Sequence, residues 1–244
     1  MPQDRPVVRL RPNVAAQPLR WGAPWIWADQ LVMDRRTKAI PAGSLVELQD
    51  AERRPLGLAA FNAGSKIAAR MLDADPGAVV DRGWFAARLR RALGLREALF
   101  DAPFYRLVHA EADGLPGVIV DRFGDAAVIQ PNAAWAEVRL EDLAGALRHV
   151  TGVTVVVKNG AGRARGLEGL ADETSVLAGA LAGPVMVPMN GAVYLADLSG
   201  GQKTGIYYDQ RLNHAFAARL GRGRRVLDVF AHVGGFALAA LVAG

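Results

Sequence analysis

Residues Val226–Ala240 read VLDVFAHVGGFALAA. The apolar run Val226–Phe230, interrupted only by Asp228, predicts a short strand, and Phe236–Val242 predicts a helix. A strand, a tight Gly-Gly turn and a helix start form the opening of a doubly wound α/β domain. Gly234 and Gly235 allow a close backbone approach to a ligand, and a helix N-terminus offers free N–H groups. The pattern GxGxxG is absent, which argues against NAD and FAD. A P-loop fails as well: Gln202 interrupts the Gly-Lys-Thr order, and Ala196 stands where its first glycine belongs. A Gly-Gly turn also arises from packing alone, so its flanks must decide.

Just upstream lies Ser199–Arg211, SGGQKTGIYYDQR. Asp209 is the expected N-cap of a helix whose apolar stripe is Leu212, Phe216 and Leu220, with Gly221 at its C′ position. His214 falls off that stripe and is expected to face solvent. A capped helix accounts for Asp209 but not for the Gln-Lys-Thr-Gly segment.

Working back toward the amino terminus, Val7–Leu10, Ser44–Leu48, Leu56–Phe61 and Ile67–Leu72 are apolar runs bounded by Pro, Gly, Asn or Asp, and predict a small β-barrel over residues 1–75. Phe85, Leu89 and Leu93 recur every four residues in a helix over 81–100. Strands follow over 106–109, 117–121, 126–130 and 153–158, with a helix marked by Trp135, Val138, Leu140, Leu143 and Leu147. Arg122–Asp125 predicts a hairpin turn. The expected division is a barrel (1–75), a linker helix with a central α/β domain (76–196) and a third segment (197–244). Only nineteen positions, 226–244, follow the last helix-to-strand boundary, so the expectation is an incomplete domain.

Composition narrows the chemistry. The chain has 244 residues, 51% hydrophobic and 22% charged, a globular balance. With no cysteine it holds no disulfide, thiolate metal site or thiol nucleophile, and four dispersed histidines make no metal cluster. A net charge of +5 and a pI near 10 favour an acidic partner. No signal peptide or run of about 18 apolar residues is present, and the expected location is cytoplasmic.

Three collinear stretches carry a family resemblance. GQKTGIYYDQR followed by VLDVFAHVGGF resembles the PUA-containing class I methyltransferases that make 5-methylcytosine in large-subunit ribosomal RNA. Glu111–Arg122, EADGLPGVIVDR, is similar to that family's middle signature, and the amino terminus with WGAPWIW (21–27) resembles its PUA barrel. The resemblance implies an α+β multi-domain chain: a PUA-like β-barrel, a central α/β RNA-binding domain and the start of a Rossmann-like methyltransferase domain, truncated. It implies S-adenosylmethionine over Gly234 and Gly235. Gln202, Lys203, Thr204, Asp209, Gln210, Arg211, Asp228, Phe230, Ala231, His232 and Phe236 would line the cofactor site. Ala231, His232 and Val233 depart from the family's small or Cys residue, aromatic and Thr, and Met189 replaces the acid of a frequent Glu-Asn-Gly. Attack by cytosine C5 requires a cysteine adduct at C6, so the nucleophile would lie beyond Gly244 and these 244 residues should be inactive by themselves.

The implied partner is 23S ribosomal RNA, with no metal and no membrane. Arg9, Arg11, Arg20, Trp21, Arg163 and Arg165 are the RNA-binding candidates. Trp21, Trp25 and Trp27 can stack on bases, although barrel packing is expected for at least two of them. Arg88, Arg90, Arg91 and Arg96 either track phosphates or form a solvated helix face, and Arg163 and Arg165 serve either RNA or solubility. The alternative to a methyltransferase is a non-catalytic RNA-binding module with a relic methyltransferase segment.

Overall fold

Short apolar runs separated by turn residues assemble into two five-stranded sheets and a hairpin. The computed structural model describes residues 5–200 and 205–244. The first sheet comprises β1 (Val7–Arg9), β2 (Trp25–Ile26), β3 (Ser44–Gln49), β4 (Pro55–Phe61) and β5 (Ala69–Asp73), with short helices α1 (Gln17–Arg20) and α2 (Arg35–Lys38) in its loops. The strand order is β1-β3-β4-β5-β2; β1 pairs parallel with β3 and the other pairs are antiparallel. Alternation directs Val46 and Leu48 of β3 into a core with Val8, Leu10, Ile26 and Leu31. Strand β4 is buried on both sides. Ala59 and Phe61 join that barrel core, while Leu58 and Ala60 join the next one.

Helix α3 (Arg82–Glu97) begins at Asp81, whose carboxylate accepts from Trp84 N at 2.8 Å. It buries Trp84, Phe85 and Leu89 against the second sheet. That sheet is formed by β6 (Phe104–His109), β7 (Val118–Phe123), β8 (Ala126–Pro131), β9 (Val155–Lys158) and β10 (Ser175–Ala178). Helices α4 (Ala134–Val138) and α5 (Leu140–Thr151) link β8 to β9, and α6 (Arg163–Gly166) precedes β10. The order is β10-β9-β8-β7-β6, with only β8 and β9 parallel, as their helical crossover requires. The expected β7–β8 hairpin forms, turning through Gly124 and Asp125. The helix expected around 135–147 is interrupted at Arg139.

Both faces of this sheet are covered. Val118, Val120, Ala127, Ile129 and Val156 face α3 and α5, and Phe85 stacks on Trp135 at 5.9 Å. Phe123, Val128 and Val157 face a hairpin of β11 (Val185–Met189) and β12 (Ala192–Ala196), joined by Leu198, Ile206 and Tyr208. The Glu111–Arg122 signature is a set of struts. Glu111 accepts from Trp25 Nε1 at 2.8 Å, Asp113 pairs with Arg96, and Asp121 pairs with Arg106.

The last elements are α7 (Arg211–Gly221) and α8 (Gly235–Ala243). Three expectations are corrected here. Asp209 is not the N-cap: it lies in a single 3-10 turn over Tyr208–Gln210 that runs straight into α7. Gly221 is the last residue of α7, not its C′ residue, and Arg222 leaves in extended backbone. Val226–Phe230 forms no strand, because no strand among the described residues lies beside it; Leu227 is 86% and Phe230 99% exposed.

A buried carboxylate joins barrel to central sheet. Glu168 takes hydrogen bonds from Asn62 Nδ2 (3.1 Å), Ser65 Oγ (2.7 Å) and Ala134 N (3.3 Å), and pairs with Arg70 at 2.9 Å. Removing one partner of a buried pair strands the other. Glu168→Ala is therefore expected to lower stability by about 3 kcal/mol in urea unfolding. Glu52, paired with Arg54 in open solvent, serves as the control: Glu52→Ala should change stability by about 0.5 kcal/mol or less.

Candidate functional site

A cleft of about 420 Å³ opens between Ile206–His214 and Asp228–Phe236, a volume suited to a small molecule. One wall is pinned to the central sheet by Tyr208. Its ring packs on Phe123 (5.2 Å) and its hydroxyl donates to the Arg122 carbonyl (2.9 Å). Burial, reinforced by Asp121, pushes that hydroxyl well above the usual tyrosine range, so it remains a neutral donor. The other wall is the glycine turn. Asp228 Oδ2 accepts from Ala237 N at 3.1 Å and so caps the first turn of α8. Phe230 and His232 hold φ of +62° and +52°, a left-handed conformation uncommon outside glycine. The His232 ring meets Tyr207 edge-on at 5.1 Å.

The two glycines have different roles. Gly234 has φ +76°, and a Cβ there would make only ordinary contact with Leu238 at 3.5 Å. Gly235 is the site of close approach: a Cβ would fall 2.3 Å from His214 Cε1. Across the turn, Tyr194 donates its hydroxyl to the Gly235 carbonyl at 3.3 Å. The turn is thus held between β12 and α7.

Of the cofactor candidates, Asp209, Gln210, Asp228, Phe230, Ala231, His232, Gly235 and Phe236 converge on this cleft, and Gly234 adjoins it. Gln202, Lys203 and Thr204 lie outside the described residues. Arg211 does not reach it. Its guanidinium sits over Phe100 at 4.6 Å and donates to the Phe104 carbonyl, fastening α7 to the central domain. The sequence reading missed Ile206, Tyr207, Val229, Val233 and His214. His214 is the largest reversal, buried to 5% exposure with its ring edge-on to Phe236 at 4.5 Å. The expected apolar stripe faces outward instead, with Leu212 80% exposed.

The RNA candidates divide. Trp21, Trp25 and Trp27 are all exposed, which corrects the expectation that at least two pack inside the barrel. Trp25 and Trp27 stand edge to face at 6.3 Å. Arg11 is exposed, with Nε donating to the Leu31 carbonyl, and Arg9 is partly buried with Nε unpaired. Arg20 pairs with Asp50 at 2.9 Å. Arg163 is exposed. Arg165 cannot meet RNA in this conformation. It is 1% exposed and bound to Glu137 (2.9 Å) and to the carbonyls of Pro131 and Ala171. Arg88 and Arg96 are likewise engaged, with Asp73 and Asp113.

Two outcomes test this geometry. Gly235→Ala should disorder the turn and α8 in hydrogen exchange, because His214 and Tyr194 hold both sides. Gly234→Ala should keep α8 and cost about 1 kcal/mol, the strain of its φ alone. The second concerns acid. Burial lowers the His214 pKa from its ordinary 6.5, against the pull of Asp228 and Asp209. Below pH 6.5 the unfolded chain takes up a proton that the folded chain resists, so this contribution is complete above 6.5 and is lost as pH falls. His214→Phe should flatten the decline in thermal midpoint measured from pH 7.5 to 5.5.

Comparison with known proteins places the chain. Residues 8–74 match the PUA-like domain family. Ribosomal RNA large subunit methyltransferase I of Aeromonas hydrophila is 35% identical over 227 residues, which is 91% of this chain and 56% of that protein. The protein of the same name from Shewanella amazonensis is also 35% identical, with the same coverage. A candidate SAM-dependent methyltransferase from Streptococcus mutans has the same fold, with a TM-score of 0.79 and 19% identity over 98% of this chain and 61% of its own. A candidate methyltransferase solved with SAH also matches, at TM-score 0.79 and 18% identity over 98% of this chain and 60% of its own. The chain spans about half the length of the curated relatives it matches. It matches a PUA-like domain at residues 8–74 and is, over nine-tenths of its own length, similar to the ribosomal RNA large subunit methyltransferase I proteins.

Proposed function

We propose that this protein is part of an S-adenosylmethionine-dependent methyltransferase of large-subunit ribosomal RNA, with the barrel holding RNA and the cleft at Gly234–Gly235 holding the cofactor. The observation that carries the reading is the convergence of two separate motifs, Ile206–Gln210 and Asp228–Phe236, on one cleft of suitable size. The residues suit the group. Asp209 and Asp228 are carboxylates lining a space for a cationic ligand. When bound, S-adenosylmethionine supplies an electrophilic methyl on a positively charged sulfur. The chain's own part is to bind and orient. Asp228 keeps one oxygen on Ala237 N while its charge remains beside the cleft, and Tyr208 fixes the opposite wall.

On the RNA side, the supporting features are exposed Trp21, Trp25 and Trp27 on a barrel that also carries Arg9 and Arg11. Aromatic faces stack on unpaired bases, and arginines neutralise phosphates. The target base must leave its stack to reach a buried methyl donor. We assign 5-methylcytosine in 23S rRNA as the product, on the family resemblance. That reaction needs a thiolate at C6, which none of these 244 residues can supply. The second reading is an RNA-binding module without methyl transfer. Incubation of the whole gene product with 23S rRNA and labelled S-adenosylmethionine separates them: 5-methylcytosine supports the first, and binding of both without transfer supports the second.

Binding should show two signatures. RNA affinity should fall steeply with salt, and Arg163→Ala should reduce the slope of log K against log salt by about one. Arg165→Ala should instead lower the unfolding midpoint. In calorimetry, Asp228→Asn retains an oxygen for the α8 cap but loses the charge. It should weaken S-adenosylmethionine about tenfold more than the uncharged-sulfur product S-adenosylhomocysteine. Equal loss for both would remove Asp228 from the sulfonium's surroundings.

A further inference from the structure

Helix α3 carries arginines of two kinds. Arg88 and Arg96 are engaged by Asp73 and Asp113, whereas Arg82 and Arg90 form no ion pair with a carboxylate among the described residues. Both stand along the seam with α5: Arg82 lies over Gly145, and Arg90 reaches His149 Nε2 at 3.4 Å. Arg148 of α5 is exposed and likewise without an ion pair among the described residues. Arg82 and Arg148 line one groove of about 620 Å³, together with Val138, Ala144 and Leu177. Of the acids beside them, Asp81 caps α3 and Glu137 holds Lys158 and Arg165, which leaves Glu141 to oppose them.

Gly145 distinguishes this seam from an ordinary solvated helix face. It lies inside α5 (Leu140–Thr151), where glycine is less favourable than alanine. Its φ is not positive, so no turn requires glycine there. A Cβ at 145 would fall 2.8 Å from Arg82 Cζ and Nε and 2.9 Å from Nη2. The glycine therefore leaves a notch in α5 that the guanidinium occupies. A notch serving the fold alone should give the guanidinium an acceptor, as Arg88 has in the Gly114 carbonyl and Arg96 in the Arg106 carbonyl. Arg82 has no hydrogen-bond partner among the described residues, and its five N–H donors stay open to an acceptor from outside.

The acceptor that fits is a phosphate, whose oxygens match the planar fork of a guanidinium. Arg82 and Arg90 start about 12 Å apart along α3, at 1.5 Å per residue, which suits phosphates repeated along a strand better than a single ion. We propose that the α3–α5 seam is a second RNA-contacting surface, with Arg82 seated on Gly145, Arg90 and Arg148 each neutralising a phosphate of the RNA backbone. The proposal rests on the RNA reading above and extends it from the barrel to the central domain.

Filter binding of the full protein to a 23S rRNA transcript, between about 50 and 200 mM salt, tests it. Arg82→Gln, Arg90→Gln and Arg148→Gln should each reduce the slope of log K against log salt by about one. Glu141→Gln removes the opposing charge and should tighten binding. Thermal midpoints without RNA report whether each variant folds. Gly145→Ala separates function from structure. It should raise the thermal midpoint by about 2 °C, because alanine suits a helix interior and the guanidinium can swing aside, yet weaken RNA binding about threefold. Failure of the wild-type protein to bind the transcript overturns the RNA reading, and this proposal with it. Wild-type binding with unchanged slopes in the three arginine variants, or with unchanged affinity in Gly145→Ala, overturns the proposal alone.

Discussion

A sheet with apolar side chains on both faces must be covered twice, and the second cover decides where the cleft lies. Helices α3 and α5 bury one face of the central sheet. The opposite face carries Phe123, Val128 and Val157, which water would meet without the β11–β12 hairpin and the residues after it. The core therefore runs directly from the sheet through Tyr194 and Leu198 to Ile206 and Tyr208. Tyr208 holds one wall of the cleft and Tyr194 holds the Gly235 carbonyl at the other. Burial of a few large apolar residues, each worth roughly 1.5–3 kcal/mol, fixes a polar site tens of residues further along the chain.

Buried charge does comparable work at the barrel. Glu168 and Arg165 lie three residues apart in a glycine-rich loop and anchor it in opposite directions. Glu168 engages Asn62, Ser65 and Arg70 of the barrel, and Arg165 engages Glu137 and two carbonyls of the central domain. Each charge is heavily hydrogen-bonded, the condition under which burying it is tolerable. The same loop presents Arg163 to solvent. One short segment thus sets the barrel on the sheet and leaves one cation exposed.

Much of this was legible in local pattern. The strand beginning at Ser44, the turn at Gly124–Asp125 and the helix after Asp81 are decided by residues within a few positions of each other, and they formed as expected. What local pattern could not supply was the partner of a face. Leu212, Phe216 and Leu220 make a genuine helical stripe, yet α7 meets α8 through His214 and Ala218. Periodicity finds a face but does not say what covers it. Val226–Phe230 has the composition of a strand, but a strand is stabilised by ladder neighbours that its own sequence does not contain. Arg165 and Arg163 sit two residues apart with the same chemistry, and only the tertiary position of Glu137 buries one and exposes the other. The three tryptophans of WGAPWIW carried the opposite difficulty, since an aromatic cluster reads as core until its surroundings are known.

The glycine turn shows why such motifs are ambiguous in sequence. Its requirement for glycine at 235 arises from the His214 ring, while the Tyr194 hydroxyl holds the carbonyl on the other side. Neither is a ligand of the turn in the usual sense, yet both fix the backbone that a ligand would meet. Asp228 is divided likewise: one oxygen caps α8 while the charge faces the cleft. Loss of binding on changing either residue therefore combines a change in turn geometry with any change in contact. The two effects separate only through ligands that differ in one charge or one nucleoside contact, because the geometry is common to all of them whereas each contact is not.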